Sequence, residues 1–295
     1  MQRDNLAQRD RESQPPWFTL LVCPDCRVNL QTHARGLLCP RCHAEFPFEG
    51  GVPKLWPPSR AAHLAAAVAN FQRPHAQTRQ AFRALLPPSP ICDPGAVARR
   101  RNCQAQMARG LILNVGSKAA DWGPHVINFD LVLPEGARKT DLLGDLERLP
   151  FAEGALDGVI CTNVLEHVAD AGACLAEIAR VLKPGGALYI TVPFIFPRHP
   201  DPLDCRRWTL DGLRRDLKAF EELDAGICGG PFSALVAVVP AWLAAPFSNY
   251  YLFNAVRNGL GWLLWPVKFL DHIAVRSPRA IGAAASFYYL GRRKK

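Results

Sequence analysis

The chain lacks an apolar leader. Residues 1–16 carry three bases and three acids and none of the hydrophobic core that a secretory signal requires. That absence predicts a cytoplasmic protein, where thiols stay reduced, and sets disulfides aside as the first explanation of the ten cysteines. Charge is missing from residues 225–256, and acidic side chains are missing after Asp271. The uncharged stretch is no simple membrane span, because Pro231, Pro240 and Pro246 interrupt the run of about 20 apolar residues that a span needs. With 49% hydrophobic and 21% charged residues, wholesale disorder is excluded.

The net charge of +9 is distributed unevenly. Residues 60–109 hold eight arginines against Asp93 alone, residues 110–271 sum to −5, and residues 272–295 carry six bases. An acidic core is thus flanked by a basic linker and a basic tail. Such basicity suits an anionic partner, either nucleic acid or a membrane surface. Arg99-Arg100-Arg101 could grip phosphate or simply form a solvated helix face.

Four cysteines form two pairs. Cys23-Pro-Asp-Cys26 and Cys39-Pro-Arg-Cys42 are separated by twelve residues. Two C-x-x-C turns at this distance fit one tetrahedral, structural zinc ion held by four thiolates, the alternative being four buried or redox-active thiols. Four sulfurs complete such a site, so His33 and His43 are bystanders. Leu20-Leu21-Val22 and Gly36-Leu37-Leu38 each read as a short strand feeding a turn. A segment this small would draw much of its folding free energy from the metal. From Leu21 to Phe46-Pro47-Phe48 and Gly51-Val52-Pro53, the chain resembles the small zinc-ribbon protein that activates transfer-RNA and ribosomal methyltransferases. That resemblance covers residues 17–58 and implies a structural or partner-binding role.

Beyond Pro57-Pro58, residues 59–109 read as a basic helical linker after a polar, disordered start at 1–16. Leu64, Val68 and Phe71, then Phe82, Leu85 and Leu86, recur at helical spacing within 60–72 and 75–86. From 110 onward strand and helix signals alternate, which predicts an α/β, doubly wound, largely parallel sheet. Leu111–Val115 runs into Gly116-Ser117, and Val126–Phe129 ends on Asp130. Leu156–Cys161 and Ala187–Val192 are further strands. Between them a helix from about 170 to 182 buries Leu175, Ile178, Val181 and Leu182 and stops at Lys183-Pro184-Gly185-Gly186.

Asn114-x-Gly116-Ser117, Asn128-x-Asp130, Asp145 with Leu149-Pro150-Phe151, Leu165-Glu166-His167-Val168 and Arg180 through Gly186 together resemble class I S-adenosylmethionine-dependent methyltransferases of the type 11 group. The similarity covers about 110–225 and implies a Rossmann-like sheet. It also implies that Asn114, Gly116, Ser117 and Lys118 face the methionine part of S-adenosyl-L-methionine. Asp130 would hold the ribose, Asp145 and Leu146 would flank the adenine, and Asn163 would sit beside the transferred methyl. Where that family writes G-x-G-x-G, this chain has Gly116-Ser117-Lys118-Ala119-Ala120. A side chain at 118 either occludes the ligand or pairs with its carboxylate.

Val192-Pro193-Phe194 through His199-Pro200-Asp201-Pro202 and Arg206-Arg207-Trp208 forms a proline-rich loop over the expected pocket. His199, with a near-neutral intrinsic pKa, is the candidate general base, oriented by Asp201 or Asp204; the alternative is a loop anchor. Thr209 caps a helix over 210–217, Phe220–Leu223 is the sixth strand, and 284–290 is the last, antiparallel strand. Residues 229–280 are then a hydrophobic helical insertion suited to an interfacial membrane position, a pocket cover or a subunit contact. Arg292 to Lys295 would be an exposed tail. The loop resembles methyltransferases of glycan assembly, which implies methyl transfer to a glycan, lipid-linked sugar or related small acceptor, the alternatives being an RNA methyltransferase and a non-catalytic scaffold blocked by Lys118. A partner protein at the ribbon and peripheral membrane contact are further expectations.

Overall fold

The computed structural model describes residues 15–33, 36–71, 110–117, 125–133, 140–201 and 203–295. The polar start, the helix expected over 75–86, the Arg99-Arg100-Arg101 cluster and Lys118 lie outside those residues.

The cysteine-bearing segment is built on three short antiparallel strands: β1 (Gln31–His33), β2 (Gly36–Leu38) and β3 (Glu45–Glu49). A fourth, β4 (Val52–Leu55), folds back on β3. The strand expected over 20–22 is absent. Proline at the first helical position fixes φ and turns Pro16–Leu20 into a 3-10 helix. Leu21 and Val22 make only isolated bridges, to Phe151 and Asn29. Helix α1 (Ala61–Phe71) follows, as the periodicity predicts.

The central sheet is Rossmann-like and mixed. β5 (Ile112–Val115), β6 (Val126–Asp130), β7 (Leu142–Gly144), β8 (Leu156–Thr162) and β9 (Leu182–Pro193) are mutually parallel. β10 (Phe220–Gly229) is reached through α2 (Ala171–Val181), β9 and α3 (Leu210–Asp216); β11 (Ser286–Arg293) inserts antiparallel between β9 and β10. The resulting order is β7-β6-β5-β8-β9-β11-β10. β5 is buried at every position, as expected for the centre of a parallel sheet covered on both faces. β9 begins earlier than expected: Leu182 pairs with Leu156 and Ala187 with Gly158, while Lys183, Pro184 and Gly185 between them are exposed.

β4 pairs in parallel with β7, matching Lys54 with Leu143 and Leu55 with Gly144, so the cysteine-bearing segment extends the sheet at its edge. Leu21, Leu37, Phe46 and Leu55 belong to the same hydrophobic cluster as Leu113, Phe129, Leu149 and Phe151. Polar contacts reinforce this join. Arg27 donates to the Leu149 carbonyl at 2.8 Å and pairs with Glu177 at 2.8 Å, and Trp56 Nε1 donates to the Leu131 carbonyl at 3.0 Å.

Between β10 and β11 lie α4 (Pro231–Ala244), α5 (Tyr250–Leu264) and the short α6 (Asp271–Ala274). Asp271 accepts from the backbone N–H groups of Phe232 at 2.8 Å and Ser233 at 2.9 Å, capping α4 and closing the insertion on itself. Among the described residues no helix is long and apolar enough to cross a membrane. The tail differs from expectation, since Arg292 and Arg293 lie within β11. Arg293 donates to the carbonyls of Leu182 and Arg180, because the end of α2 leaves those oxygens without helical partners.

Candidate functional site

The carboxyl ends of β5 to β8 open into a cavity of about 990 Å³, its mouth included. Gly116, Asp130, Asp145, Leu146 and Asn163 line it, which unites five of the residues expected at the cofactor. Gly116 has φ +64°, and a Cβ there would collide with the Val164 side chain, so the turn requires glycine. Asn163 is also left-handed, with φ 52°, a conformation asparagine tolerates better than most residues. Its backbone N–H donates to the Thr191 carbonyl at 2.9 Å, which fixes the end of β8 against β9.

Two expected ligands fall elsewhere. Asn114 is buried inside the sheet, where its side-chain amide donates to Asn128 Oδ1 at 3.0 Å across paired positions of β5 and β6. Ser117 is buried just beyond the cavity-lining residues, and its hydroxyl has no hydrogen-bond partner. An orphaned hydroxyl beside a glycine turn, with carboxylates at neighbouring strand ends, fits a polar ligand such as S-adenosylmethionine.

The linker supplies a wall that the sequence did not announce. Leu64, Ala67 and Val68 of α1 line the cavity, and Arg60 stands at its edge. Arg60 Nε pairs with Asp145 Oδ2 at 2.6 Å and Nη1 with Glu147 Oε2 at 2.8 Å. Both carboxylates are nearly buried, and Asp145 also accepts from the Glu147 N–H at 3.0 Å, capping the 3-10 turn Leu146–Arg148. Burial opposes the Arg60 charge, but its two acidic partners outweigh burial and raise the guanidinium pKa. The only sequence hint was a lone base between Pro58 and the helix.

On the acceptor side, His167, Asp201 and Leu203 line the cavity. His199 is not among the lining residues; it stands behind His167, ring centroids 5.0 Å apart. Its Nε2 lies 3.4 Å from Glu166 Oε1, and its Nδ1 lies 3.1 Å from the Pro197 carbonyl. Burial lowers the His199 pKa, but the contacts with Glu166 and Pro197 outweigh it and raise the net value. Asp204 accepts from the His199 backbone N–H at 2.8 Å and is clamped by the Arg207 guanidinium, which holds its pKa at about 2. Asp204 therefore orients the backbone of His199, while Glu166 meets its ring. Glu166 and His167 were visible in the sequence only as motif residues; a glutamate among buried strand-end residues was the available signal.

The cysteine quartet also assembles. Its four sulfurs all lie within 4.8 Å of one another. Cys23 Sγ and Cys42 Sγ are 3.8 Å apart, and the N–H groups of Cys26 and Cys42 each donate to the first sulfur of their pair at 3.4 Å. The edge of a tetrahedron of Zn–S bonds is about 3.8 Å, so the set fits zinc. Arg27 and His43, each following a pair, take left-handed conformations that complete the turns. Burial pushes the Cys23 thiol up to about 12. Burial also opposes ionisation of Cys39, but the N–H groups of Cys42 and Arg41 outweigh it and bring that thiol to about 7.

The strand order, the antiparallel strand beside the sixth, and the cavity at the strand ends define a class I methyltransferase type of α/β fold. A methyltransferase-domain family model matches residues 120–190. The chain is similar to a demethylmenaquinone methyltransferase from Parafrankia sp., 46% identical over 55 residues, covering 19% of this chain and 22% of that protein. It is also similar to the ubiquinone/menaquinone biosynthesis C-methyltransferase UbiE of Chromobacterium violaceum, 32% identical over 90 residues, covering 28% and 37%. The chain spans 15% to 37% of the length of the curated relatives it matches. Among solved structures, the 1,6-didemethyltoxoflavin-N1-methyltransferase of Burkholderia thailandensis aligns over 90% of this chain and 99% of that one, at 14% identity and a TM-score of 0.42.

Proposed function

We propose that this chain is an S-adenosylmethionine-dependent methyltransferase acting on a lipid-linked sugar or similar small acceptor at a membrane surface. The observation that carries the reading is the convergence of Gly116, Asp130, Asp145 and Asn163 on one cavity from four adjacent parallel strands. Asp130 would accept from ribose hydroxyls, and Asp145 and Leu146 would meet the base. Ser117 adds a buried, unpartnered hydroxyl next to the Gly116 turn. When bound, S-adenosylmethionine supplies an electrophilic methyl group; the protein's contribution is alignment and exclusion of water. Arg60 and α1 close the base side of the cavity, so the linker that follows the cysteine-bearing segment acts as a built-in support of the cofactor pocket.

The membrane part of the proposal draws on the insertion. Trp242, Leu243, Trp262, Leu263, Phe269 and Ile273 are all exposed, with Leu263 at 74% and Trp242 at 72%. Arg276 and Arg279 follow within a few residues of Ile273 in the sequence, and no acid follows Asp271. Exposed aromatic and aliphatic side chains beside unopposed bases suit insertion into an anionic bilayer interface.

The test uses methyl-labelled S-adenosylmethionine, the full chain and a cell extract separated into lipid-soluble, RNA and aqueous fractions. Label should enter the lipid-soluble fraction with the wild type and not with Asp130→Ala. Label in RNA instead would replace the acceptor assignment with the RNA alternative.

A further inference from the structure

Glu166 and His167 sit on the 3-10 turn Leu165–His167 directly after β8, and His199 reaches them from the loop after β9. Glu166 is completely buried, yet its Oε2 has no hydrogen-bond partner. A buried carboxylate oxygen left in that condition is costly unless a cation or a ligand meets it. His199 Nε2 and His167 Nε2 lie 3.4 and 3.7 Å from Glu166 Oε1. Those separations are long for hydrogen bonds. They approach the distance of about 3.3 Å between two ligand atoms on a tetrahedral ion with bonds of about 2.0–2.1 Å.

The outer contacts of the two imidazoles are consistent with ligation. His167 Nδ1 is 2.6 Å from the Leu203 carbonyl, and His199 Nδ1 is 3.1 Å from the Pro197 carbonyl. A carbonyl only accepts, so each Nδ1 carries the hydrogen and each Nε2 keeps its lone pair. Arg207 Nη2 is also 3.4 Å from His199 Nδ1, but it already donates to Asp204 at 2.9 Å and to Pro197 at 3.2 Å. Two nitrogen lone pairs thus face one carboxylate, and backbone carbonyls fix both rings from behind, the arrangement that orients metal-binding histidines.

We propose that Glu166, His167 and His199 bind a divalent first-row transition-metal ion, distinct from the ion of the cysteine quartet. Imidazole nitrogens beside a carboxylate favour such an ion over magnesium or calcium. His167 lines the cavity and the His199 side chain is 33% exposed, so the site has room for a further ligand from the acceptor side. There the ion would hold an acceptor oxygen and lower its pKa, in place of proton removal by His199 alone. That role rests on the methyltransferase reading; ion binding does not.

The test is a cobalt(II) titration of the reduced, metal-free full chain, with zinc content measured in parallel. The cysteine quartet reports through thiolate-to-cobalt charge-transfer absorption, and the second site through visible d–d bands without such a contribution. The wild type should bind one equivalent beyond the quartet. His199→Ala and the conservative Glu166→Gln should each lose that equivalent while retaining the thiolate bands and the far-ultraviolet circular dichroism of the wild type. Cys39→Ser should lose the thiolate bands and keep the second binding event. The proposal is overturned if the wild type binds only the quartet's equivalent, or if folded His199→Ala and Glu166→Gln bind as much as the wild type. Failure to bind S-adenosylmethionine with the second equivalent still present would instead count against the methyltransferase reading.

Discussion

Arg60 joins two nearly buried carboxylates, Asp145 and Glu147, from 85 positions away in the case of Asp145. Removing it leaves those charges facing the cavity unpaired. Arg60→Ala should lower stability by about 2 kcal/mol, less than a fully buried pair would lose because the guanidinium is partly exposed. It should also weaken S-adenosylmethionine binding, as read by equilibrium dialysis. The Asp204–Arg207 pair carries a pH dependence. The Asp204 pKa is held at about 2 against an ordinary 3.8, so its contribution is complete above the ordinary value and is lost as pH falls through the folded one. Urea unfolding at about pH 5 and about pH 2.5 should show a gap between wild type and Asp204→Asn that narrows on acidification. An unchanged gap would contradict this. The residues legible in sequence, Gly116, Asp130 and the cysteines, act through local turns and strand ends. Arg60 and the His199–Glu166 contact depend on tertiary proximity that spacing does not encode. Asn114 misled because an asparagine at a strand end serves a ligand or a neighbour equally well; here Asn128, paired with it across β5 and β6, is that neighbour.

At the scale of elements, β4 joins the cysteine-bearing segment to the sheet. Leu55 is fully buried at that join, so Leu55→Ala should cost about 2–5 kcal/mol, the usual range for a large core truncation. Calorimetric unfolding of that variant should remain a single transition at lower temperature; two separated transitions would show that the segments fold independently. Asp271 plays the corresponding role in the insertion. Asp271→Ala removes the α4 cap and should cost about 1–2 kcal/mol, measured by denaturant midpoint. The periodic helices were legible, and Thr209, the expected cap, accepts from the Gly212 N–H; Asp170 caps α2 in the same way, accepting from the Ala173 N–H. The edge pairing of β4 was not legible, since a four-residue strand gives no sign of which sheet it will join.

Across the whole molecule, one hydrophobic cluster runs from Leu21 and Cys39 through the sheet to Trp208 and Phe287. Removal of a metal ion from the quartet should therefore reach the central sheet. Chelation of the reduced protein should lower the melting temperature of the entire chain and reduce cofactor affinity together. The charge pattern also gains meaning at this scale: the basic tail enters β11 in part, and Arg293 serves the end of α2 rather than a partner. The most direct measurement is calorimetric titration of the full, zinc-loaded chain with S-adenosylmethionine, beside Asp130→Ala. Saturable heat at a single site in the wild type, lost or much weakened in Asp130→Ala, is the expected result. Absence of heat from the folded wild type at millimolar ligand would contradict the methyltransferase assignment.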